Sequence, residues 1–264
     1  MKENAKGWSD RDRFAPIGVF DSGMGGLSVL AALLRRLRGE RFVYLSDPAH
    51  APYGSRSEGE IRDLTEAGVR RLLDLGCKAV VLGCNTATNA AAEAVRTWYP
   101  TLLGVEPAVK PAVAATRGKV LVLTTPATAC RRKFRTLCAR YGEGRLIVAP
   151  QPGLAARIEA DIFRPAALEE AVREALAPHP EAEAAVLGCT HYALIRPLFE
   201  KFLPAFDGNE GVARRAEALL REYGLTRPAG EPEVEFADAS GALADRYRAV
   251  LCSLFPPCFS VRRR

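Results

Sequence analysis

Two cysteines stand in matching settings. The run Val80-Val81-Leu82-Gly83-Cys84-Asn85-Thr86 lines up with Ala185-Val186-Leu187-Gly188-Cys189-Thr190-His191, 105 residues later. In each, an apolar run stops at a glycine, a thiol follows, and amide, hydroxyl or imidazole groups come next. Asn85 or Thr86 is expected to cap an alanine-rich helix. A thiol at a helix N-terminus feels the positive end of the macrodipole, so it is expected to ionise more readily than a free thiol at about 8.5. A lone cysteine is ordinarily a small buried hydrophobe. Two at equivalent strand ends suit acid–base chemistry instead, with His191 beside the second.

Other polar clusters also follow apolar runs. Asp21-Ser22-Gly23-Met24-Gly25-Gly26 lacks GK[ST] and the GxGxxG spacing, and its carboxylate would repel phosphate. It reads as a tight turn presenting Asp21 and Ser22 to a small polar ligand. The loop Asp47 to Gly54 is stiffened by Pro48 and Pro52 and ends in Tyr53-Gly54. Its His50 reads as a loop histidine. The hydroxyls of Thr124, Thr125 and Thr128 suit either a carboxylate ligand or a helix cap. Glu159, on an expected helix after Pro152-Gly153, passes on spacing alone for a solvated charge. Cys77, Cys130, Cys138, Cys252 and Cys258 lack polar neighbours of this kind and are assigned to packing or surface.

These groups need a scaffold, and the rest of the chain describes one. Short apolar runs at 17–20, 42–45, 79–82, 102–105, 119–123, 145–148, 184–187 and 234–236 alternate with helical stretches such as 27–38 and 57–75. That alternation predicts an α/β fold with mainly parallel sheets, whose ligands bind beyond the carboxyl ends of the strands. Asp21 lies 63 residues before Cys84, and Thr125 lies 64 before Cys189. Together with the cysteine echo, this predicts two pseudo-symmetric α/β domains with the active site in the cleft between them. The expected division is a disordered extension over 1–13, a first domain of 14–109 plus 208–264, and a second domain of 110–207.

Composition narrows the function. The 264 residues carry a net charge of +6, but the cations are scattered among acids, with no aromatic-basic interleaving, so no nucleic-acid partner is expected. No apolar stretch reaches the roughly 20 residues that span a bilayer, and no secretory signal opens the chain. A cytoplasmic location is expected. Seven cysteines, without disulfide or paired CxxC spacing, are expected as free thiols.

The motifs IGVFDSGMGG (17–26), Pro52-Tyr53-Gly54, Cys84-Asn85-Thr86-Ala87, Gly104-Val105-Glu106-Pro107, Thr125-Pro126-Ala127-Thr128, Gly188-Cys189-Thr190-His191-Tyr192 and DGNEG (207–211) occur in a fixed order. In them the chain resembles the aspartate/glutamate racemase superfamily, and DSGMGG with PYG resembles its glutamate racemase branch. The resemblance implies interconversion of L- and D-glutamate by two bases, with no cofactor and no metal, supplying D-glutamate for peptidoglycan. It implies Cys84 and Cys189 as the two catalytic thiols, with Asp21 and His191 assisting and Asp47 and Glu159 as further supporting carboxylates. Asp21, Ser22, Tyr53, Gly54, Asn85, Thr86, Thr125, Thr190 and His191 match residues that grip the substrate. The chain departs from the family at Gly83, often Ala, and at Ala193, usually Pro; neither removes a catalytic group.

Three alternatives stay open at this point: the same chemistry on another acid such as aspartate, a metal-binding protein using Cys84, Cys189 and His191, and an inactive regulator. A homodimer is compatible with the sequence and not fixed by it.

Overall fold

The computed structural model describes residues 8–9, 11–142, 144–228, 230–239, 241–254 and 260–262. In chain order the first elements are β1 (Ile17–Asp21), α1 (Leu27–Arg36), β2 (Arg41–Ser46), α2 (Glu58–Asp74), β3 (Ala79–Leu82), α3 (Asn85–Arg96), β4 (Leu102–Gly104) and α4 (Val109–Ala115). Then come β5 (Lys119–Thr124), α5 (Pro126–Cys130), α6 (Arg132–Tyr141), β6 (Leu146–Pro150), α7 (Leu154–Asp161), α8 (Pro165–Leu176) and β7 (Ala182–Leu187). The chain continues through α9 (Thr190–Leu194), α10 (Arg196–Phe199), β8 (Ala205–Phe206), α11 (Asn209–Tyr223), β9 (Glu233–Ala237), α12 (Gly241–Leu254) and β10 (Ser260–Arg262).

Two parallel sheets result, in the orders β10-β9-β2-β1-β3-β4 and β6-β5-β7-β8. The first takes strands from both ends of the chain and the second from its middle. β1 lies between β2 and β3 and is buried at every residue, so it reads as a continuous apolar run and not as an alternating one. Ile17 and Val19 join a core that extends without a break to Leu121, Leu123 and Leu187 of the second sheet. Phe20 points the other way, into a separate cluster with Leu72, Val80 and Leu82. Helix α2 begins at a capping box in which Ser57 and Glu60 satisfy each other's backbone N–H groups. Helix α11 stops at Gly224, whose φ of 68° closes its end.

Every expected strand is present. β8 and β10 were not anticipated, because two residues at Ala205–Phe206 and a basic tail carry no apolar run. Backbone register also corrects the repeat. Gly83 N donates to Phe20 O and Gly188 N to Leu123 O, each at 2.7 Å. Phe20 is therefore equivalent to Leu123, Asp21 to Thr124, and Ser22 to Thr125. Matching Asp21 with Thr125 was one residue out.

Part of the expected disordered extension, residues 1–7 and 10, lies outside the described residues. Its remainder is ordered: Ser9 donates through N and Oγ to Asp12 Oδ2, opening a 3-10 turn over Asp12–Phe14, and Arg13 O accepts from Lys78 Nζ at 2.7 Å. The six described cysteines are free thiols, and Cys258 lies outside the described residues. No helix among the described residues is long and apolar enough to cross a membrane.

Candidate active site

β1 and β3 of the first sheet, and β5 and β7 of the second, end at one cavity of about 410 Å³. Cys84 and Cys189 both line it, with 6% and 7% of their surface exposed, so neither is sealed in a dry core.

Cys84 itself caps α3, correcting the expected cap at Asn85 or Thr86: its Sγ accepts from Ala87 N at 3.5 Å. Ser22 Oγ lies 3.6 Å from the same sulfur. Burial and the nearby Asp21 carboxylate push the Cys84 thiol up to about 12, although the Ala87 N–H and Ser22 favour the thiolate. The expectation of easier ionisation at a helix start is thus reversed, because desolvation outweighs one N–H contact. Asp21 has no exposed surface. Burial raises its pKa to about 6, against the pull of His191 and of the hydrogen bond from Gly23 N. Gly23 N donates to Asp21 Oδ1 at 2.7 Å, and Thr190 Oγ1, from the other half, to Oδ2 at 3.2 Å.

Cys189 occupies the matching position at the start of α9 and receives no side-chain cap bond. Its Sγ is 3.9 Å from His191 Nδ1, while His191 Nε2 is 2.9 Å from Glu159 Oε2. Burial opposes a charge on His191, but contact with Cys189 and Glu159 outweighs it and raises the imidazole pKa well above its usual value. Glu159 answers in the opposite sense: burial raises it, yet the His191 contact holds it below the ordinary glutamate range. Glu159 is therefore not a free surface charge but the partly buried third member of a thiol–imidazole–carboxylate relay. Gly153, with φ of 79°, starts the helix that carries it.

Ser22, Tyr53, Gly54, Asn85, Thr86, Thr125 and Thr190 also line the cavity. Thr86 Oγ1 meets Thr125 Oγ1 at 3.2 Å and Thr128 Oγ1 at 3.3 Å, joining α3 to α5 across the two halves. Thr125 also caps α5 through Thr128 N, so its two alternative readings coexist. Asn85 Oδ1 is buried without a hydrogen-bond partner, an arrangement that a ligand donor at the cavity wall would complete.

Two expected site residues do not reach the wall. Asp21 sits beneath it, and Asp47 stands behind Tyr53, accepting from its hydroxyl at 2.8 Å and pairing with His50 Nδ1 at 2.7 Å. Asp47 thus orders a wall residue, Tyr53. Sequence reasoning missed Gln151, Pro152 and Arg246, which all line the cavity. Nothing local marks Arg246, since it sits among other charges on an ordinary amphipathic helix. Among the described residues no group of three or more His, Cys, Asp or Glu side chains is placed to hold a metal ion.

Two thiols at equivalent carboxyl ends of β3 and β7, each with an acid–base neighbour, share one cavity, an arrangement suited to proton transfer. Residues 17–216 match the family described as Asp/Glu/Hydantoin racemase. The glutamate racemase of Clostridium perfringens strain SM101 is 40% identical over 221 residues, covering 80% of this chain and 85% of that one. A glutamate racemase isoform from Bacillus anthracis superposes with a TM-score of 0.79 at 26% identity, over 96% of this chain and 98% of the other. The glutamate racemase of Francisella tularensis, solved in complex with D-glutamate, gives a TM-score of 0.76 at 25% identity, over 94% and 96%.

Proposed function

Because the chain belongs to the Asp/Glu/hydantoin racemase family and is an enzyme of the racemase class, we propose that Cys84 and Cys189 invert the α-carbon of glutamate from opposite faces. Glutamate as substrate is supported by the relatives' activity and by the bound D-glutamate of the Francisella enzyme. One observation carries the mechanism: two sulfurs at register-equivalent strand ends open onto a single cavity.

From D-glutamate, the Cys84 thiolate takes the α-proton and becomes a thiol. The carbanion then takes a proton from the Cys189 thiol on the opposite face, leaving L-glutamate and a Cys189 thiolate. L-glutamate reacts in the reverse order. A single base would return the proton to the face it came from, so inversion needs both groups. A substrate ammonium beside Cys84 favours its thiolate by opposite charge, offsetting the burial that raises its pKa. Asn85 Oδ1 is the acceptor suited to that ammonium. Asp21, with a pKa near 6, can hold or release a proton close to neutrality on the Cys84 side. His191, backed by Glu159, plays that part for Cys189. Ser22 and Thr86 offer hydroxyls to the carboxylates, where charge delocalises from the carbanion, while Tyr53, Thr125 and Thr190, whose protons go to Asp47, Thr128 and Asp21, shape the wall around them. The division into 14–109 with 208–264 and 110–207 belongs to this proposal, as do a cytoplasmic location and the supply of D-glutamate for peptidoglycan.

The test is incubation of chelator-treated protein with L-glutamate in heavy water. D-glutamate carrying deuterium at Cα is expected, and Cys84→Ser or Cys189→Ser should each abolish racemisation. Exchange on aspartate but not on glutamate would move the assignment to that acid.

A further inference from the structure

Arg246 is the one lysine or arginine lining the cavity among the described residues. It comes from α12, beside β9 of the first sheet, yet its Nη2 donates to the backbone carbonyl of Glu159 on α7 of the other half. That carbonyl lies in the last turn of α7, where helix oxygens have no partner within the helix. The next residue, Tyr247, is fully buried against Tyr44, and its hydroxyl meets Ser46 Oγ at 2.9 Å, so the base of Arg246 is anchored. The contact therefore fixes the turn from which Glu159 reaches His191 Nε2. The guanidinium charge also favours the Glu159 carboxylate, in the same sense as His191.

We propose that Arg246 is a positioning residue for the Cys189 side of the reaction, holding Glu159, and through it His191, by tying α12 to the end of α7. This rests on the two-thiol reading above. It predicts an asymmetry that a general structural role would not produce. The two enantiomers are isoenergetic, so no variant can lower kcat/KM in one direction only. What can change is which proton transfer limits the rate. Loosening His191 slows proton transfer to and from Cys189 and leaves the Cys84 step alone.

The experiment compares wild type, Arg246→Met and Arg246→Lys using α-deuterated L- and D-glutamate, with thermal unfolding measured alongside. Arg246→Met is expected to lose about tenfold to hundredfold in kcat/KM, the same scale as the loss when the partner that orients a metal-bound histidine is removed. Its isotope effect should rise with labelled L-glutamate, whose deuteron goes to Cys189, and fall with labelled D-glutamate. Arg246→Lys keeps the charge and a donor, so it should restore most of the rate. Activity of Arg246→Met within twofold of wild type would overturn the proposal. So would a raised KM with both isotope effects unchanged, which would mean direct substrate contact, or a lower unfolding temperature with both unchanged. If Arg246→Met does not fold, Arg246→Ala takes its place, and isotope effects equal to those of wild type with both labelled enantiomers overturn the proposal equally. Failure of the underlying reading would show separately, as wild-type protein that exchanges no deuterium into glutamate.

Discussion

Replacing Gly25 with alanine tests whether the turn after β1 shapes the acid–base relay of the other half. A Cβ at Gly25 would lie 2.5 Å from His191 Nδ1, 2.9 Å from His191 Cε1 and 2.7 Å from Thr190 Oγ1. Ordinary contact begins near 3.4 Å, so the imidazole must retreat by about 0.9 Å. It has little freedom to do so, with Glu159 on Nε2 and Cys189 facing Nδ1. Helix α1 cannot yield in its place, because Leu27 to Leu34 are all buried. Misplacing a catalytic group by about 1 Å can cost about 10²-fold, or about 2.7 kcal/mol of barrier. Overpacking adds about 1–3 kcal/mol of lost stability. Gly25→Ala should therefore fold with a lowered unfolding temperature and racemise L-glutamate about 10²-fold more slowly, followed by loss of optical rotation. Gly211→Ala is the control: it lies in α11 with open space around its Cβ position. That change should keep full activity and gain about 0.5–1 kcal/mol. A Gly25→Ala enzyme within threefold of wild type would refute the view that His191 is held against this turn.

Asp21→Asn should separate stability from activity. Because burial raises the Asp21 pKa from 3.8 to about 6, the folded state holds this proton more tightly than the unfolded chain does. Its stability contribution is thus intact below about pH 4 and is lost as pH rises to about 6, at a cost of about 3 kcal/mol. The asparagine variant should be more stable than wild type at pH 7.5 by up to that amount, equal to it below pH 4, and at least tenfold slower. An unfolding difference that does not vary with pH would refute the assignment. Lys78→Met addresses the opposite case, a charge that serves the fold alone. Lys78 and Glu40 pair at 2.5 Å with side-chain exposures of 0% and 3%, and Glu40 also accepts from Arg227 N. Removing the cation strands a buried carboxylate, so denaturant unfolding should report a loss of about 3–5 kcal/mol, with kcat/KM of the folded enzyme unchanged. A loss below 1 kcal/mol would show that Glu40 finds another partner.

Much of this molecule could be read locally. A central parallel strand covered on both faces must be apolar throughout, so β1, β3, β5 and β7 announce themselves. The glycine–cysteine–polar sequence at two strand ends placed both thiols, because the topology of such sheets puts their carboxyl ends at the ligand. Local reasoning failed where a property depends on surroundings. Cys84 was expected to ionise easily from its helix position, but desolvation, which only packing sets, pushes it the other way. Glu159 resembled a surface charge until α7 brought it to His191, 32 residues further along the chain. Asp47 was expected as a supporting carboxylate, and only the fold reveals that it accepts from the Tyr53 hydroxyl. Arg246 carried no signal, since its role arises from α12 folding back across the cleft. The chain alone determined which groups could hold a proton and on which strand ends they stand. Only the tertiary structure decided which of them share a cavity and which charges they bear there. Electrostatic energies depend on distance and burial, and neither is written in residue order.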